Sequence, residues 1–173
     1  MNKKDVRFIT VGAIIAALYT VLTCFINVFN LANGMIQVRI SEALTVLPFF
    51  TPAAIPGLTI GCVISNLYMG NPIPDIVFGS LATLLGAVGT YLLARIPLCK
   101  KNKGAWICTL PPVIANGLII PFVLRYAYKL PNPLWQLAAG VVAGEIICCC
   151  ILGGILLYSL RATPLAHELS AAE

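Results

Sequence analysis

Six apolar segments make up almost the whole chain, and short runs rich in Pro, Gly, Asn or Lys separate them. A helix needs about 20 apolar residues to cross the roughly 30 Å hydrocarbon core of a bilayer. The 173 residues, 60% of them hydrophobic and only 10% charged, therefore suffice for about six crossings and leave no room for a soluble domain. The sequence predicts an all-α membrane protein, a single compact bundle of six transmembrane helices. We expect these helices at about residues 8–29, 35–50, 54–70, 75–96, 105–127 and 134–160.

The basic residues predict how this bundle is oriented, because Lys and Arg favour cytoplasmic loops. An N-terminus in the cytoplasm places eight basic residues on the cytoplasmic side and three on the outer side. The eight are Lys3, Lys4, Arg7, Arg95, Lys100, Lys101, Lys103 and Arg161, and the three are Arg39, Arg125 and Lys129. The opposite orientation would invert this ratio. We therefore expect both termini in the cytoplasm.

Other classes of function find little support in the sequence. Most of the seven cysteines lie inside apolar segments and are interpreted as packing residues, and the consecutive positions 148–150 point about 100° apart, so they cannot converge on one metal ion. The only histidine, His167, lies in the polar tail, so the spans offer no Ser/His or metal-ligand arrangement, and we expect neither an enzyme nor a metal site. The net charge is +5, but the basic residues form no face that could bind nucleic acid outside the lipid-bound segments.

The polar residues within the apolar segments are the candidate functional residues, because ionisable groups inside a membrane are costly. Glu42, Asn66 and Asp75 are predicted near the outer face. Asn116 lies halfway along its segment, and Glu145 lies about 16 Å down the last one, so both are predicted near the midplane. The inner halves of the segments carry almost no polar residue. This distribution predicts a pocket that opens to the outside rather than a channel.

Two interpretations remain open for the polar residues of the spans. Asn66 and Asn116 either contact a ligand or only join helices by hydrogen bonds worth about 1 kcal/mol each. Glu145 has no basic residue within one helical turn. It must be protonated, paired with Arg39 or Arg125 of another helix, or matched by the donors of a ligand. We favour the third possibility, in which the donors of a ligand bind Glu145.

The stretch QVRISEALTV carries Arg39 and Glu42 three positions apart, on one face of a helix. One interpretation is an ion pair that neutralises itself at the membrane surface. The other places Glu42 on a ligand at the outer mouth, above Asn116 and Glu145. Arg39 would then orient Glu42 or hold the loop after the first helix closed over the pocket.

The segment GAIIAAL of the first helix places Ala13 and Ala17 four residues apart. This spacing of small residues lets two helices approach closely. The residues alone favour a packing contact inside the bundle, and the alternative is that the two alanines dock a partner helix in the cytoplasmic half of the membrane.

Two stretches, QVRISEALTVLPFFTPAAIPGLTIGCVISN and NPIPDIVFGSLATLLGA, closely resemble the queuosine-precursor transporter family, which comprises substrate-binding S components of energy-coupling factor (ECF) transporters. The similarity extends from about residue 8 to 160. It implies a multi-pass protein of the bacterial plasma membrane that binds substrate from outside and carries no cofactor of its own. It also implies partners, namely a transmembrane coupling subunit and two ATP-binding cassette ATPases that hydrolyse the ATP.

The resemblance also implies a substrate and roles for individual residues. The substrate would be a 7-deazaguanine such as preQ1, which carries an aminomethyl group, or queuine. Glu145 and Glu42 would accept the paired donors of the base, and Asn116 and Asn66 would bind the remaining ring atoms. The other proposed substrate contacts are Arg39, Asp75 and Tyr68, with Phe78, Tyr126 and Trp135 as further stacking candidates, and the docking residues are Ala13 and Ala17.

Two alternatives to this function remain. The first keeps the architecture and changes the substrate to another vitamin, such as a flavin or thiamine precursor. The second is a membrane scaffold that transports nothing and packs against partners through the face of the first helix that carries Ala13.

Overall fold

Every regular element is helical in the part of the chain that the computed structural model describes, residues 2–28, 39–164, 166 and 169. The longer elements are α1 (Lys3–Asn27), α2 (Ile40–Phe49), α3 (Ala54–Tyr68), α4 (Ile73–Ala94), α5 (Gly104–Tyr126) and α6 (Leu134–Arg161). A short helix, Pro97–Lys100, lies between α4 and α5. The predicted all-helical fold is thus confirmed.

Four of these helices, α1, α4, α5 and α6, are long and apolar enough to cross a membrane. The other two contain 10 and 15 residues. At about 2.0 Å per residue for the 3₁₀-helix α2 and 1.5 Å for α3, each reaches only about 20 Å. The count of six crossings and the cytoplasmic position of the termini therefore remain predictions.

The helix ends differ most from the predicted ones in the first two segments. α1 was predicted to start at residue 8, but it begins at Lys3, because Asn2 and Asp5 form a capping box that satisfies free N–H groups of the first turn. The segment predicted at 35–50 contains the 3₁₀-helix Ile40–Phe49, with Pro48 inside it. Residues 35–38 of that segment, the predicted closing loop between the first two segments, and His167 lie outside the described residues.

α6 is not one regular α-helix. It consists of an α-helix, Leu134–Glu145, a π-helical segment, Ile146–Leu152, and a second α-helix, Gly153–Arg161. π-Helical turns occur mostly within α-helices and often at functional sites. This one begins directly after the glutamate that the sequence singles out.

The short helix α2 forms the centre of the bundle. Seven of its ten residues are buried, and it packs against α1, α4 and α6. Its central position explains why an apolar helix too short to cross a bilayer has hardly any exposed side. The large apolar side chains of α1 at Ile9, Ile14, Leu18 and Val21 are about half exposed, as expected for a surface that contacts lipid.

α1 and α3 pack with their backbones in direct contact. A Cβ atom at Gly57 would lie 2.6 Å from the carbonyl oxygen of Gly12, and one at Gly61 would lie 2.8 Å from that of Ala16. Small residues four apart on both helices permit this approach. The close contact within the bundle therefore involves Gly12 and Ala16, and not the predicted pair one position further along.

Candidate functional site

Four side chains from three helices meet in the core and form what we call the central polar cluster: Tyr19 of α1, Glu42 of α2, and Glu145 and Cys149 of α6. All four are at most 8% exposed. The Tyr19 hydroxyl donates a hydrogen bond to Oε1 of Glu42. The Cys149 thiol donates to Oε2 of Glu145 at 3.1 Å. The ligand atoms of Glu42, Glu145 and Cys149 all lie within 4.8 Å of one another.

The local backbone brings these side chains together. Glu42 lies in the first turn of α2, where the Thr45 hydroxyl donates to its carbonyl oxygen at 2.5 Å. On α6, the wide π-helical turn follows Glu145 and keeps Cys149, four residues on, directed toward it. Gly153 closes the contact between the two helices, since a Cβ there would lie 3.1 Å from a methyl carbon of Val46.

This geometry corrects the predicted depth of Glu42. The sequence placed Glu42 at the outer mouth, above Glu145, but their carboxylates lie side by side. The error came from counting residues along the helix, whereas α2 is an inner element that Tyr19 reaches from the middle part of α1. The structure thus brings together two of the predicted site residues and adds Tyr19 and Cys149, which the sequence analysis missed.

The cluster also refines the interpretation of the cysteines. Only the middle member of the triplet, Cys149, joins the two glutamates, which agrees with the expectation that the three thiols do not converge. Cys150 accepts a hydrogen bond from the Thr109 hydroxyl at 3.4 Å. Two carboxylates and one thiol are ligand types that can hold a cation, and the sequence alone does not reveal this grouping.

Three buried polar atoms near this region have no hydrogen-bond partner among the described residues: Oε2 of Glu42, Oγ of Ser80 and Nδ2 of Asn116. They come from α2, α4 and α5, and they are an acceptor, a hydroxyl and a donor. A buried polar group left unpaired costs about 1–3 kcal/mol. Such groups in one core are unusual unless a ligand or water pairs with them.

A second cluster, the Asp75 cluster, lies where α3 ends and α4 begins. The Asn71 amide donates to Oδ1 of Asn66 at 2.9 Å and to Oδ2 of Asp75 at 3.1 Å. The Tyr128 hydroxyl donates to the same Asp75 oxygen at 2.7 Å, and Nη2 of Arg39 lies 3.9 Å from it. Asp75 thus joins the start of α2, the turn after α3 and the segment after α5.

The electrostatics of the Asp75 cluster favour a neutral phenol. Burial, followed by the hydrogen bond to the Asp75 carboxylate, raises the pKa of Tyr128 above its ordinary value. Tyr128 therefore keeps its proton and remains a donor throughout the neutral range. Gly79 allows the close packing, because a Cβ there would lie 3.3 Å from Oδ1 of Asp75 and 3.4 Å from Nδ2 of Asn66.

The structure does not bring the predicted aromatic residues to the central polar cluster. Tyr68 is 80% exposed, and the other three stacking candidates, Phe78, Tyr126 and Trp135, are 48%, 71% and 73% exposed. Phe78 and Tyr126 line an apolar groove of about 560 Å³ between α4 and α5. These positions suit side chains that face lipid.

A larger groove of about 660 Å³ runs along α1 and α3, and we call it the α1–α3 groove. Ala13 and Ala17 line it and are exposed. Its other lining residues are Phe8, Ile9, Gly12, Ala16, Thr20, Val21, Pro56, Gly57, Ile60 and Ile64. The structure therefore excludes the interpretation that Ala13 and Ala17 pack inside the bundle. The two alanines instead belong to an outward-facing surface.

Comparisons with known proteins cover most of the chain. The sequence model of a family described as QueT transporter matches residues 9–162. A curated relative from Lactococcus lactis subsp. cremoris (strain MG1363), named queuosine precursor transporter QueT, is 39% identical over 85 residues. This alignment covers 49% of the chain and 50% of the relative, so the chain matches about half of the relative's length. No solved structure matches the chain significantly.

Proposed function

Because the chain belongs to the QueT transporter family, as a match over residues 9–162 shows, we propose that it is the substrate-binding S component of an ECF-type importer. It captures a queuosine precursor, a 7-deazaguanine such as preQ1 or queuine, from outside the cell. Membership of a transporter family, together with four helices able to cross a membrane, makes the chain a multi-pass membrane transport protein and not an enzyme. We place it in the bacterial plasma membrane.

The central polar cluster is the observation that carries this proposal. Two buried glutamates meet there, and Oε2 of Glu42 has no partner among the described residues. Such a site selects a ligand that is rich in donors. A 7-deazaguanine offers N1–H and an exocyclic amine at one edge, and both preQ1 and queuine carry a further amine on the opposite side.

The unpaired donor supports the same class of ligand. Nδ2 of Asn116 lies in the core without a partner among the described residues, and the carbonyl oxygen of a guanine-type ring is a suitable acceptor. The Ser80 hydroxyl can donate to or accept from another ring atom. Binding thus pairs three atoms whose isolation otherwise costs about 1–3 kcal/mol each.

The proposed topology has six crossings and both termini in the cytoplasm. In this orientation the Asp75 cluster lies at the outer end of the bundle, above the central polar cluster. Ala13 lies about 15 Å along α1 from Lys3, in the cytoplasmic half of the helix. The α1–α3 groove then faces the part of the membrane where a coupling subunit would engage.

We propose that this groove, through Ala13 and Ala17, docks the transmembrane coupling subunit of an ECF module. Small exposed residues allow a partner helix to approach closely. Two ATP-binding cassette ATPases in that module hydrolyse the ATP, and the chain itself needs no cofactor. The docked protein then releases its substrate to the cytoplasm.

Calorimetric binding of preQ1 and queuine to the purified chain tests the proposed substrate class. We expect saturable binding of both and no binding of flavin or thiamine precursors. Glu145→Gln should weaken binding at least tenfold, whereas Asp5→Asn, on the exposed first turn of α1, should leave it unchanged. Tight association with a partner subunit without binding of any deazaguanine would support the scaffold alternative instead.

A further inference from the structure

We propose that Glu42 and Glu145 together form a cation subsite that holds the charged amine of the substrate, so that the protein selects a cationic 7-deazaguanine over a neutral one. This inference rests on the proposed function and assigns a role within the same site. Recognition of the ring itself then falls to other polar residues, among them Asn116 and Ser80.

The charges buried in the bundle are unbalanced. Among the described residues, the buried side chains of acidic or basic type are Arg39, Glu42, Asp75 and Glu145. Three carboxylates thus face one guanidinium, and that guanidinium lies 3.9 Å from Asp75. One guanidinium cannot neutralise three carboxylates, and a cation bound between the two glutamates would offset part of the excess negative charge.

Repulsion between the carboxylates of Glu42 and Glu145 favours the binding of a cation. The ligand atoms of Glu42 and Glu145 lie within 4.8 Å of each other and are almost inaccessible to solvent. Two like charges about 4 Å apart at an effective dielectric constant near 20 repel each other by about 4 kcal/mol. The pair is therefore stable only when it shares a proton or encloses a positive group.

The spacing of the two carboxylates suits an ammonium better than the edge of a base. An ammonium has three donors in a tetrahedral arrangement, and its hydrogen bonds to carboxylates are about 2.8 Å long. Two such bonds place the accepting oxygens about 4.6 Å apart. The ligand atoms of Glu42 and Glu145 lie within 4.8 Å of each other, so the two carboxylates are close enough to share one ammonium. The paired N1–H and amine donors of a guanine-type edge instead match the two oxygens of a single carboxylate.

The neutral donors of the cluster leave room for this group. Tyr19 donates to Oε1 of Glu42 and Cys149 donates to Oε2 of Glu145, so each carboxylate is held by one donor. Oε2 of Glu42 has no partner among the described residues. Cys149 donates its proton in this arrangement, whereas a metal ion would require the thiolate, and so an organic cation is the better occupant.

The test compares three ligands that share the base and differ in the substituent at position 7. The purified full-length chain is titrated calorimetrically at pH 7 with the aminomethyl, nitrile and methyl derivatives of 7-deazaguanine. We expect the aminomethyl derivative to bind on the order of 10- to 100-fold more tightly than either neutral one, since it alone makes charged hydrogen bonds. This comparison needs no variant and so does not depend on a variant's folding.

Variants of Glu42 and Glu145 test whether these two residues cause the preference for the aminomethyl derivative. Glu42→Gln and Glu145→Gln should each bring the ratio of the affinities for the aminomethyl and nitrile derivatives close to one, because an amide does not attract the cation. Asp5→Asn removes an exposed carboxylate of α1 and should preserve the wild-type ratio. A preference that survives in both glutamine variants would overturn the inference.

Two further outcomes would also overturn it. Equal affinity of wild type for the three derivatives would mean that the glutamates read the ring, and the proposed substrate class would stand. One equivalent of bound zinc that is lost in Cys149→Ser and that blocks the aminomethyl derivative would make the cluster a metal site. Failure of all three derivatives to bind would overturn the proposed substrate class, and the cation subsite with it.

Discussion

The two faces of α1 differ in almost every physical property. The inner face carries Tyr19 and Thr23, both completely buried and hydrogen-bonded. The outer face carries Ala13 and Ala17, exposed along an apolar groove. The inner face presents hydrogen-bond donors and acceptors, whereas the outer face presents small side chains along an apolar groove. In the function that we propose, a single helix serves substrate binding with one face and subunit docking with the other.

The difference also concerns how each region contributes to stability. Along the α1–α3 contact, glycines bring two backbones together, which rigidifies this side of the bundle. The core instead contains buried atoms, such as Nδ2 of Asn116, that have no hydrogen-bond partner among the described residues and so reduce stability. Substitutions on the two sides should therefore separate folding, docking and binding.

The largest effect is expected from Gly57→Leu in the α1–α3 contact. Even a Cβ at this position would lie 2.6 Å from the Gly12 carbonyl oxygen, and neither backbone can move without separating the helices. We expect the variant to be lost from the monodisperse peak in size-exclusion chromatography. Ala13→Leu, on the exposed side of the same groove, is the matched control and should fold normally. Normal folding of both variants would show that the close contact is dispensable.

The next effect concerns docking alone. Ala17→Trp fills the α1–α3 groove and should reduce ATP-dependent uptake with the ECF module at least tenfold, while substrate affinity stays within about twofold of wild type. Leu18→Trp is the control, since Leu18 is 49% exposed on α1 but does not line the groove. Uptake of labelled substrate and calorimetric binding measure the two quantities. Loss of binding in Ala17→Trp would instead assign this face to the interior of the binding unit.

A smaller effect is expected from Asn116 in the core, where one substitution should raise stability and lower substrate affinity. Asn116→Leu removes a buried amide whose Nδ2 has no hydrogen-bond partner among the described residues, so the unliganded protein should become more stable, by about 1–3 kcal/mol, while substrate affinity falls at least tenfold. Thr23→Val is the opposite case, because the Thr23 hydroxyl donates to Ser41 Oγ at 2.7 Å, and its loss should lower stability. Thermal unfolding with and without ligand separates the two. A destabilised Asn116→Leu would mean that the amide is already paired in the unliganded protein.

Much of the helical framework could be predicted because it depends on length and hydropathy. The segment predicted at 75–96 is Ile73–Ala94, and that predicted at 54–70 is Ala54–Tyr68. The π-helical segment Ile146–Leu152 could not be predicted, since a widened turn is stabilised by the packing of α6 against α2 and has no composition of its own.

The site was predictable only in part. Glu42 and Glu145 stand out because a charged residue in an apolar helix is costly, whatever surrounds it. Tyr19 and Cys149 were missed, since both types commonly pack in cores without any functional role. The spacing of Glu145 and Cys149, four apart on one helix, was a signal that could have found the thiol. That Glu42 and Glu145 meet depends on the central position of α2, which a residue count cannot show.

The smallest effect should come from the Asp75 cluster, which ties three segments together at the end of the bundle farthest from Ala13. Tyr128→Phe removes a single 2.7 Å hydrogen bond to Asp75. The loss is worth about 1 kcal/mol, so we expect thermal stability to fall by about this amount. Because the Asp75 cluster lies above the site in the proposed topology, we also expect substrate to dissociate up to about fivefold faster. Stopped-flow release of a fluorescent deazaguanine measures this rate, and Tyr126→Phe, at a 71% exposed position nearby, is the control. An unchanged rate in Tyr128→Phe would mean that the Asp75 cluster stabilises the bundle without restricting the exit of the substrate, and would confine the binding function to the core.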